Sequence, residues 1–269
     1  MIPITVREFS DVIDYQVQMF DKYLETGNSL AARVSQHSIL GLGPAGIGKS
    51  EIVAAKAKKY GFDFIDVRLA QMSEVEIAGL IYPNETATKT VWLRPSFLPK
   101  EGCKKAILFL DELTSATQRV QVAAYQLVLD RRIGAHKLPD NVLIIAAGNR
   151  AEDDGVYVEM AAPLANRFEI HELKCSTPVW LEDYAKDNIN PLVVKYIQEH
   201  PENLHTQERR GDDMIFATPR SWKRVSDLVE KLYKKDLNFL QMKISGDIGE
   251  DLAKDFIACT KNYVLKGEI

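Results

Sequence analysis

Residues 38–69 read SILGLGPAGIGKSEIVAAKAKKYGFDFIDVRL. A short apolar run enters a glycine-rich turn, a helix-favouring segment continues through Lys59, and a second apolar run covers Phe62–Leu69. This alternation predicts a β-loop-α-β unit. The continuous apolar runs Ala106–Leu110 and Val142–Ala147 are typical of strands in a parallel sheet that helices cover on both faces. We therefore expect an α/β fold with a doubly wound parallel sheet, whose ligand binds at the carboxyl ends of the strands.

The character of the sequence changes after Cys175, where Ser176-Thr177-Pro178 is a helix-start signal. Beyond it, helix-like segments follow one another with few β-branched runs between them. We predict two domains, an α/β core over residues 1–175 and an all-helical domain over residues 176–269. The predicted helices outside the sheet region are Phe9–Leu24, Trp180–Asp187, Leu192–Glu199, Pro219–Lys235 and Asp247–Tyr263.

Composition excludes several classes of protein. The 269 residues include 34 Lys+Arg against 38 Asp+Glu, a net charge of −4, so binding of DNA would require a local basic patch. Three widely spaced cysteines form neither a disulfide framework nor a zinc cluster, and metal binding beyond Mg²⁺ is not expected. The N-terminal sequence has no secretory pattern and the apolar runs are too short to cross a bilayer. We expect a cytoplasmic protein that does not bind membranes.

The glycine-rich turn matches the pattern G-x-x-x-x-G-K-[ST]. Its residues are Gly43, Pro44, Ala45, Gly46, Ile47, Gly48, Lys49 and Ser50. Glycines let the chain curl so that backbone N–H groups and a helix N-terminus point at a phosphate. Lys49 then reaches the β- and γ-phosphates, the Ser50 hydroxyl binds Mg²⁺, and Glu51 completes the predicted nucleotide-binding set. The alternative is a glycine-rich turn that binds nothing.

A second group of polar residues, Asp111 and Glu112, ends the apolar run Ile107–Leu110. A strand parallel to the first would deliver both carboxylates to the phosphate end of the sheet. Asp111 suits Mg²⁺ because a hard cation prefers oxygen ligands. Glu112 suits a base that orients water for in-line attack on the γ-phosphorus. The alternative is that both residues are merely the acidic start of the following helix.

Together these residues resemble the AAA+ ATPases, and in detail the MoxR branch and its dynein-related neighbours. The resemblance covers nearly the whole chain and implies a P-loop NTPase core followed by a helical lid domain. It implies that Asn149 is the sensor-1 residue that hydrogen-bonds the attacking water or the γ-phosphate. Arg167, in Leu164-Ala-Asn-Arg-Phe168, is similar to the arginine finger that reaches a neighbouring subunit's nucleotide. Arg220, in Ala217-Thr-Pro-Arg-Ser, is similar to the sensor-2 arginine of the lid.

Two of these residues also have an ordinary structural role open to them. A strand-end amide such as Asn149 caps turns. An arginine at a helix end, such as Arg167, is commonly a surface cation. For Arg220 the Thr-Pro pair supports the resemblance, because it marks a helix N-terminus and fixes where the arginine points. Arg150 stands where the MoxR branch often has proline, and we favour an ion pair with Glu152 or Asp153 over a phosphate contact.

Two stretches are similar to hairpins of the MoxR branch. One contains Ile81-Tyr-Pro-Asn-Glu-Thr and Thr90-Val-Trp-Leu-Arg, and the other is Arg131-Arg-Ile-Gly-Ala-His-Lys-Leu-Pro. In such proteins these hairpins face a central channel or a partner, so Trp92 and Arg132 become candidate contact residues. The alternative for Trp92 is packing beneath its own hairpin.

The resemblance implies a Mg²⁺-dependent ATPase that assembles as a homo-oligomeric ring, a hexamer, and remodels a protein partner. Proteins with a von Willebrand factor A domain are partners of this kind in the MoxR branch. The chain lacks the Asn-Lys-x-Asp segment usual in GTPases, so ATP is the expected nucleotide. Two alternatives remain open: a ring motor or loader that acts on nucleic acid, and a regulatory module that binds ATP without turnover.

Overall fold

The computed structural model describes residues 2–27, 37–100, 102–153, 156–207 and 215–267. The strands in this part of the chain are β1 Ile4–Thr5, β2 Ser38–Leu42, β3 Asp63–Arg68, β4 Ile81–Pro83, β5 Thr90–Trp92, β6 Ala106–Asp111, β7 Arg132–Ile133, β8 His136–Lys137, β9 Val142–Gly148 and β10 Phe168–Lys174. Six of them form the main sheet, in the order β1-β10-β2-β9-β6-β3. Three of these strands end at predicted site residues: β2 just before Gly43, β6 at Asp111 and β9 just before Asn149.

Parallel pairing runs through the five strands from β10 to β3. In register, Leu40 of β2 lies opposite Ala146 of β9, and Leu108 of β6 lies opposite Ile144 of β9. These three strands are almost completely buried, as their apolar sequences predict. The fold class is confirmed. The sequence analysis missed β10, although its first four residues, Phe168–His171, alternate apolar and polar residues as a half-buried strand does.

The helices and short helical turns separate the strands and fill the C-terminal part of the chain. The α-helices are α1 Val6–Thr26, α2 Lys49–Tyr60, α3 Glu74–Ala78, α4 Gln118–Asp130, α5 Ala162–Ala165, α6 Thr177–Trp180, α7 Lys186–Asn188, α8 Pro191–Glu199, α9 Pro219–Leu232, α10 Leu237–Ile248 and α11 Glu250–Leu265. Among the described residues, no helix combines the length and the apolar character needed to cross a membrane.

Contacts divide the chain into two compact units. The first comprises Met1–Ile4, Glu8–Gly43 and Lys49–Leu173, and the second comprises Thr5–Arg7, Pro44–Gly48 and Lys174–Ile269. Each unit has its own buried apolar core. The domain boundary after residue 175 stays a prediction.

In the second unit the core is built around aromatic rings. Tyr196, Trp222 and Phe256 are buried, with ring centroids 5.2 to 5.6 Å apart. Such tilted and edge-on arrangements add to the free energy gained from burying the rings. These rings hold α8, α9 and α11 together, so the short helices of this unit share one core.

The helix predictions in this unit differ from the structure in detail. The segment Trp180–Asp187 is helical throughout, as predicted, but a π-helical turn, Leu181–Ala185, lies between α6 and α7. The predicted helix Asp247–Tyr263 is α11 from Glu250 onward, whereas its first residues belong to α10, because Gly249, with φ of 92°, ends that helix. Helix α10 itself was missed because Gly246 near its end lowers helix propensity.

Both predicted hairpins are present. β4 pairs antiparallel with β5, so that Tyr82 lies opposite Val91. β7 pairs antiparallel with β8, so that Ile133 lies opposite His136. The Trp92 ring lies against the second hairpin, because a Cβ added at Gly134 would lie 3.1 Å from it.

Candidate active site

The glycine-rich loop follows β2 and leads into α2. Its first residue, Gly43, donates from its backbone N–H to the Gly148 carbonyl at 3.1 Å, which ties the loop to the end of β9. Gly46 and Gly48 have φ of 77° and 98°, in the left-handed region that favours glycine. The curl of the loop therefore depends on glycine at these two positions.

Lys49 and Ser50 form the first turn of α2, and each contacts another predicted site residue. The Lys49 ammonium donates to the Gly43 carbonyl and, at 3.3 Å, to Oδ1 of Asn149. The Ser50 hydroxyl donates to Oδ2 of Asp111 at 2.8 Å. The structure thus brings Lys49, Ser50, Asp111 and Asn149 together at the carboxyl ends of β2, β6 and β9.

Both carboxylate oxygens of Asp111 accept hydrogen bonds. While Oδ2 accepts from Ser50, Oδ1 accepts from the backbone N–H of Glu112 at 2.8 Å. Glu112 itself has φ of 57° and ψ of 32°, a left-handed conformation that is unusual for a residue with a side chain. The Asp-Glu pair does not form the acidic first turn of α4, because that helix begins at Gln118 with Thr117 as its cap; a 3₁₀ turn, Leu113–Ser115, directly follows Glu112.

The Thr114 hydroxyl forms hydrogen bonds with both backbone groups of Asn149. It accepts from the Asn149 N–H at 2.8 Å and donates to the Asn149 carbonyl at 2.8 Å. The Thr114 side chain is completely buried, and a Cβ at neighbouring Gly148 would lie 2.5 Å from its hydroxyl. The backbone of Asn149 is therefore held by a second residue, Thr114, which the sequence analysis did not select.

Arg150 forms ion pairs, as the sequence analysis favoured. Its guanidinium contacts Asp153 at 2.6 Å, Glu172 of β10 at 3.1 Å and Glu152 at 3.5 Å. The Asp153 side chain is only 3% exposed, and its hydrogen bond to Arg150 raises the pKa of the guanidinium further above its usual value. The residue after Asn149 thus joins the end of β9 to β10.

Arg167 follows α5 at the start of β10 and is exposed. Its backbone N–H donates to the Leu164 carbonyl at 3.1 Å. Within the described residues, its guanidinium has no hydrogen bond or ion pair. The structure does not bring Arg167 into contact with Lys49, Ser50 or Asp111 of the same chain.

In the second unit, the start of α9 contacts the middle of the glycine-rich loop. The Arg220 N–H donates to the Gly46 carbonyl at 3.3 Å, and a Cβ at Gly46 would lie 2.8 Å from the Thr218 hydroxyl. Thr218 and Ser221 form a capping box, as the Thr-Pro helix-start signal predicts. The Arg220 side chain is exposed. Glu51 is exposed in the first turn of α2.

The structure adds Asp66 to the acidic end of the sheet. Burial, together with the nearby Asp111 carboxylate, raises the pKa of Asp66, and Arg68 pairs with it at 3.6 Å. Asp66 lies near the carboxyl end of β3, the strand that neighbours β6. That position was the only sequence signal for Asp66, whereas Thr114 gave none, because its partner Asn149 is 35 residues away in the chain.

These groups fit a nucleotide and its divalent cation. Two left-handed glycines curl a loop that opens a helix, and a lysine at the start of that helix faces the loop. The Ser50 hydroxyl and the Asp111 carboxylate, 2.8 Å apart, are the oxygen ligands that Mg²⁺ prefers. The fold and this site define a P-loop nucleotide hydrolase.

Comparison with known proteins agrees with that class. Residues 38–168 match the model of the AAA domain, dynein-related subfamily. This segment therefore resembles an AAA domain, and the protein is an ATPase with a P-loop fold. Among curated protein sequences, none matches the chain significantly.

Solved structures of RuvB from Thermotoga maritima share the fold. A point mutant is 16% identical, with a TM-score of 0.53 over 93% of this chain and 70% of that one. The RuvB Holliday junction branch migration motor is 17% identical, with a TM-score of 0.51 over 96% of this chain and 72% of that one. At this identity the comparison establishes the fold alone.

Replacing Thr114 by valine should impair turnover. Valine has the same shape but leaves both backbone groups of Asn149 without their partner, at a cost of about 1–3 kcal/mol in the free energy of unfolding. Misplacement of Asn149 should lower kcat by about tenfold or more. Steady-state ATPase assays and thermal unfolding measure the two effects. Thr114→Ser keeps the hydroxyl and should retain activity. A fully active Thr114→Val protein would show that turnover does not depend on the hydrogen bonds between Thr114 and the Asn149 backbone.

Proposed function

We propose that this protein hydrolyses Mg·ATP within a homo-oligomeric ring, a hexamer, and uses the hydrolysis to remodel a protein partner. The carrying observation is the contact network of Lys49, Ser50, Asp111 and Asn149 at one edge of the sheet. The family match over residues 38–168 supports the same reading. The cytoplasmic location and a partner with a von Willebrand factor A domain stay predictions.

Each residue of the network has a role that follows from its chemistry. Lys49 would neutralise charge on the β- and γ-phosphates. Ser50 and Asp111 would hold Mg²⁺, which, when bound, stabilises the negative charge that develops on the phosphoryl oxygens. Glu112 would accept a proton from the attacking water, and Asn149 would orient that water. Arg220 would act from the lid on the γ-phosphate.

Arg167 supports an assembly of several subunits. An exposed guanidinium without an ion pair among the described residues is available to a second chain. A guanidinium inserted next to the transferring phosphoryl group lowers the barrier by offsetting its charge. We propose that Arg167 completes the site of a neighbouring subunit.

The first hairpin favours a protein as the remodelled partner. Around it, apolar side chains are 42 to 62% exposed; they are Leu80, Ile81, Tyr82, Val91 and Leu93. Clustered exposed apolar residues mark surfaces that contact other proteins, whereas protein surfaces that bind nucleic acid are rich in Lys and Arg. The apolar surface around this hairpin therefore suits a protein partner.

The alternative is a motor or loader acting on nucleic acid. The solved RuvB structure, described as a Holliday junction branch migration motor, shares only the fold with this chain. Several cations near the hairpins are already engaged: Arg131 donates to the Pro139 and Val142 carbonyls, Arg132 to the Gly134 carbonyl, and Lys137 pairs with Asp140. This engagement weakens the case for a basic channel.

Glu112→Gln should separate binding from turnover. The amide cannot accept the proton, so kcat should fall by about 10²–10⁴-fold while Mg·ATP still binds. Phosphate release and calorimetric titration measure the two properties. Glu85→Gln, an exposed change in the turn of the first hairpin, is the control and should leave both unchanged. Unaltered turnover in Glu112→Gln would remove this residue from the mechanism.

Mixing two inactive variants tests whether Arg167 acts between subunits. Arg167→Ala chains keep their own Glu112, and Glu112→Gln chains keep their Arg167. A ring that contains both has some sites with an intact base and an intact finger, so turnover should exceed the sum of the separate proteins. Phosphate release at several mixing ratios measures this gain. A fully active Arg167→Ala protein, or no gain on mixing, would refute the role in trans.

Single-stranded DNA should bind weakly if the partner is a protein. A basic channel that releases counterions would give affinity that falls with salt, with a log-log slope of about −0.7 for each phosphate contacted. We expect no such slope in fluorescence anisotropy titrations of a labelled oligonucleotide with ATP-bound Glu112→Gln protein. Tight binding that weakens steeply with salt would favour the nucleic-acid motor.

A further inference from the structure

A histidine, an aspartate and a cysteine meet in the helical unit, far from the glycine-rich loop in sequence. The ligand atoms of His200, Asp255 and Cys259 all lie within 4.8 Å of one another. Cys259 Sγ is 3.9 Å from Nε2 of His200 and 4.0 Å from Oδ1 of Asp255. The chemistry of nucleotide hydrolysis uses none of these residues.

We propose that His200, Asp255 and Cys259 bind a Zn²⁺ ion. Thiolate, imidazole and carboxylate are the ligand types that zinc takes in proteins. With zinc about 2.3 Å from sulfur and about 2.0–2.2 Å from nitrogen or oxygen, ligand atoms of a tetrahedral site lie about 3.3–3.6 Å apart. The two distances to sulfur, 3.9 and 4.0 Å, lie above this range, and no two ligand atoms are more than 4.8 Å apart, so side-chain rotations that draw the three groups together would complete the site.

The backbone presents the three ligands from two elements. Asp255 and Cys259 are one turn apart on α11 and therefore share a face of that helix. His200 ends α8, and its N–H donates to the Tyr196 carbonyl at 2.9 Å. Because one ligand comes from the end of α8 and two come from α11, a bound ion would cross-link the two helices.

Neighbouring groups orient the ligands as they do in metal sites. The Tyr196 hydroxyl donates to Oδ2 of Asp255 at 2.5 Å, and Asn203 donates to that hydroxyl at 2.8 Å. Oδ1, the oxygen that faces Cys259, is thereby directed to the cluster. On the histidine, Nδ1 lies 4.0 Å from Oε1 of Glu202, while Nε2 faces the cysteine. Such outer partners fix ligand orientation and raise metal affinity.

The charge around the cluster favours a cation. Asp255, Glu199 and Glu202 place carboxylates near the cysteine and histidine. A cysteine next to a histidine also suits a nucleophilic pair. Here, however, the carboxylates oppose a bare thiolate, whereas a divalent cation would offset the negative charge of both. Asp255 is exposed, so solvent can supply the fourth ligand.

Cobalt substitution tests the site directly. Tag-free protein stripped with a chelator and titrated with Co²⁺ should develop a near-ultraviolet thiolate-to-cobalt band and the visible bands of a tetrahedral ion. Zn²⁺ should displace the cobalt and raise the midpoint of thermal unfolding, because it binds the folded state. Cys259→Ser and His200→Ala should abolish the thiolate band. Tyr196→Phe should weaken zinc affinity by about 10–100-fold.

Cys103→Ser is the matched control, because Cys103 also lies next to a carboxylate, 3.2 Å from Oδ2 of Asp63, without belonging to the cluster. It should leave the cobalt spectrum unchanged. Should Cys259→Ser fail to fold by circular dichroism, the exposed change Asp255→Asn takes its place and should weaken binding at least tenfold. Absence of the band in the unmodified protein, or its persistence in folded Cys259→Ser, would overturn the proposal.

Discussion

The hydrogen bond between Ser50 and Asp111 is the contact on which the active site depends. It joins the helix after the glycine-rich loop to the end of β6, across a gap of 61 residues in sequence. Parallel pairing makes this possible, because it places the carboxyl ends of β2, β9 and β6 along one edge. An antiparallel β6 would carry Asp111 to the opposite edge, and the two oxygens could not share a cation.

β9, the strand between β2 and β6, is followed by Asn149, whose backbone is held by a threonine. The Asn149 side chain accepts from Lys49, while the Thr114 hydroxyl bonds the Asn149 N–H and carbonyl. Thr114 in turn lies just beyond Asp111 and Glu112, on the segment that leaves β6. The acidic pair and Asn149 are therefore linked through Thr114.

The sequence predicted those parts of the structure whose signals are local. Apolar runs gave β2, β6 and β9, and one motif gave Lys49 and Ser50, because strand burial and the curled loop require particular residue types in succession. Thr114 and the cluster of His200, Asp255 and Cys259 were out of reach. Their partners lie 35 residues away for Thr114 and 59 for His200, so only the packed structure reveals them. Helix α10 was missed because tertiary packing of Leu240 and Ile244 overrides the glycine near its end.

The backbone conformation of Glu112 could not be predicted from local sequence preferences, because residues with a side chain rarely adopt the left-handed conformation that Glu112 has. A left-handed conformation costs a residue with a side chain roughly 1–2 kcal/mol. It persists because Asp111 accepts the N–H of Glu112 and Ser115 donates to its carbonyl, at 2.8 and 3.0 Å. Glycine would adopt this turn without strain but would carry no carboxylate. The strain is thus the consequence of placing an acid at a sharp turn after a buried strand, and such strain concentrates at sites where a side chain must point in one direction to function.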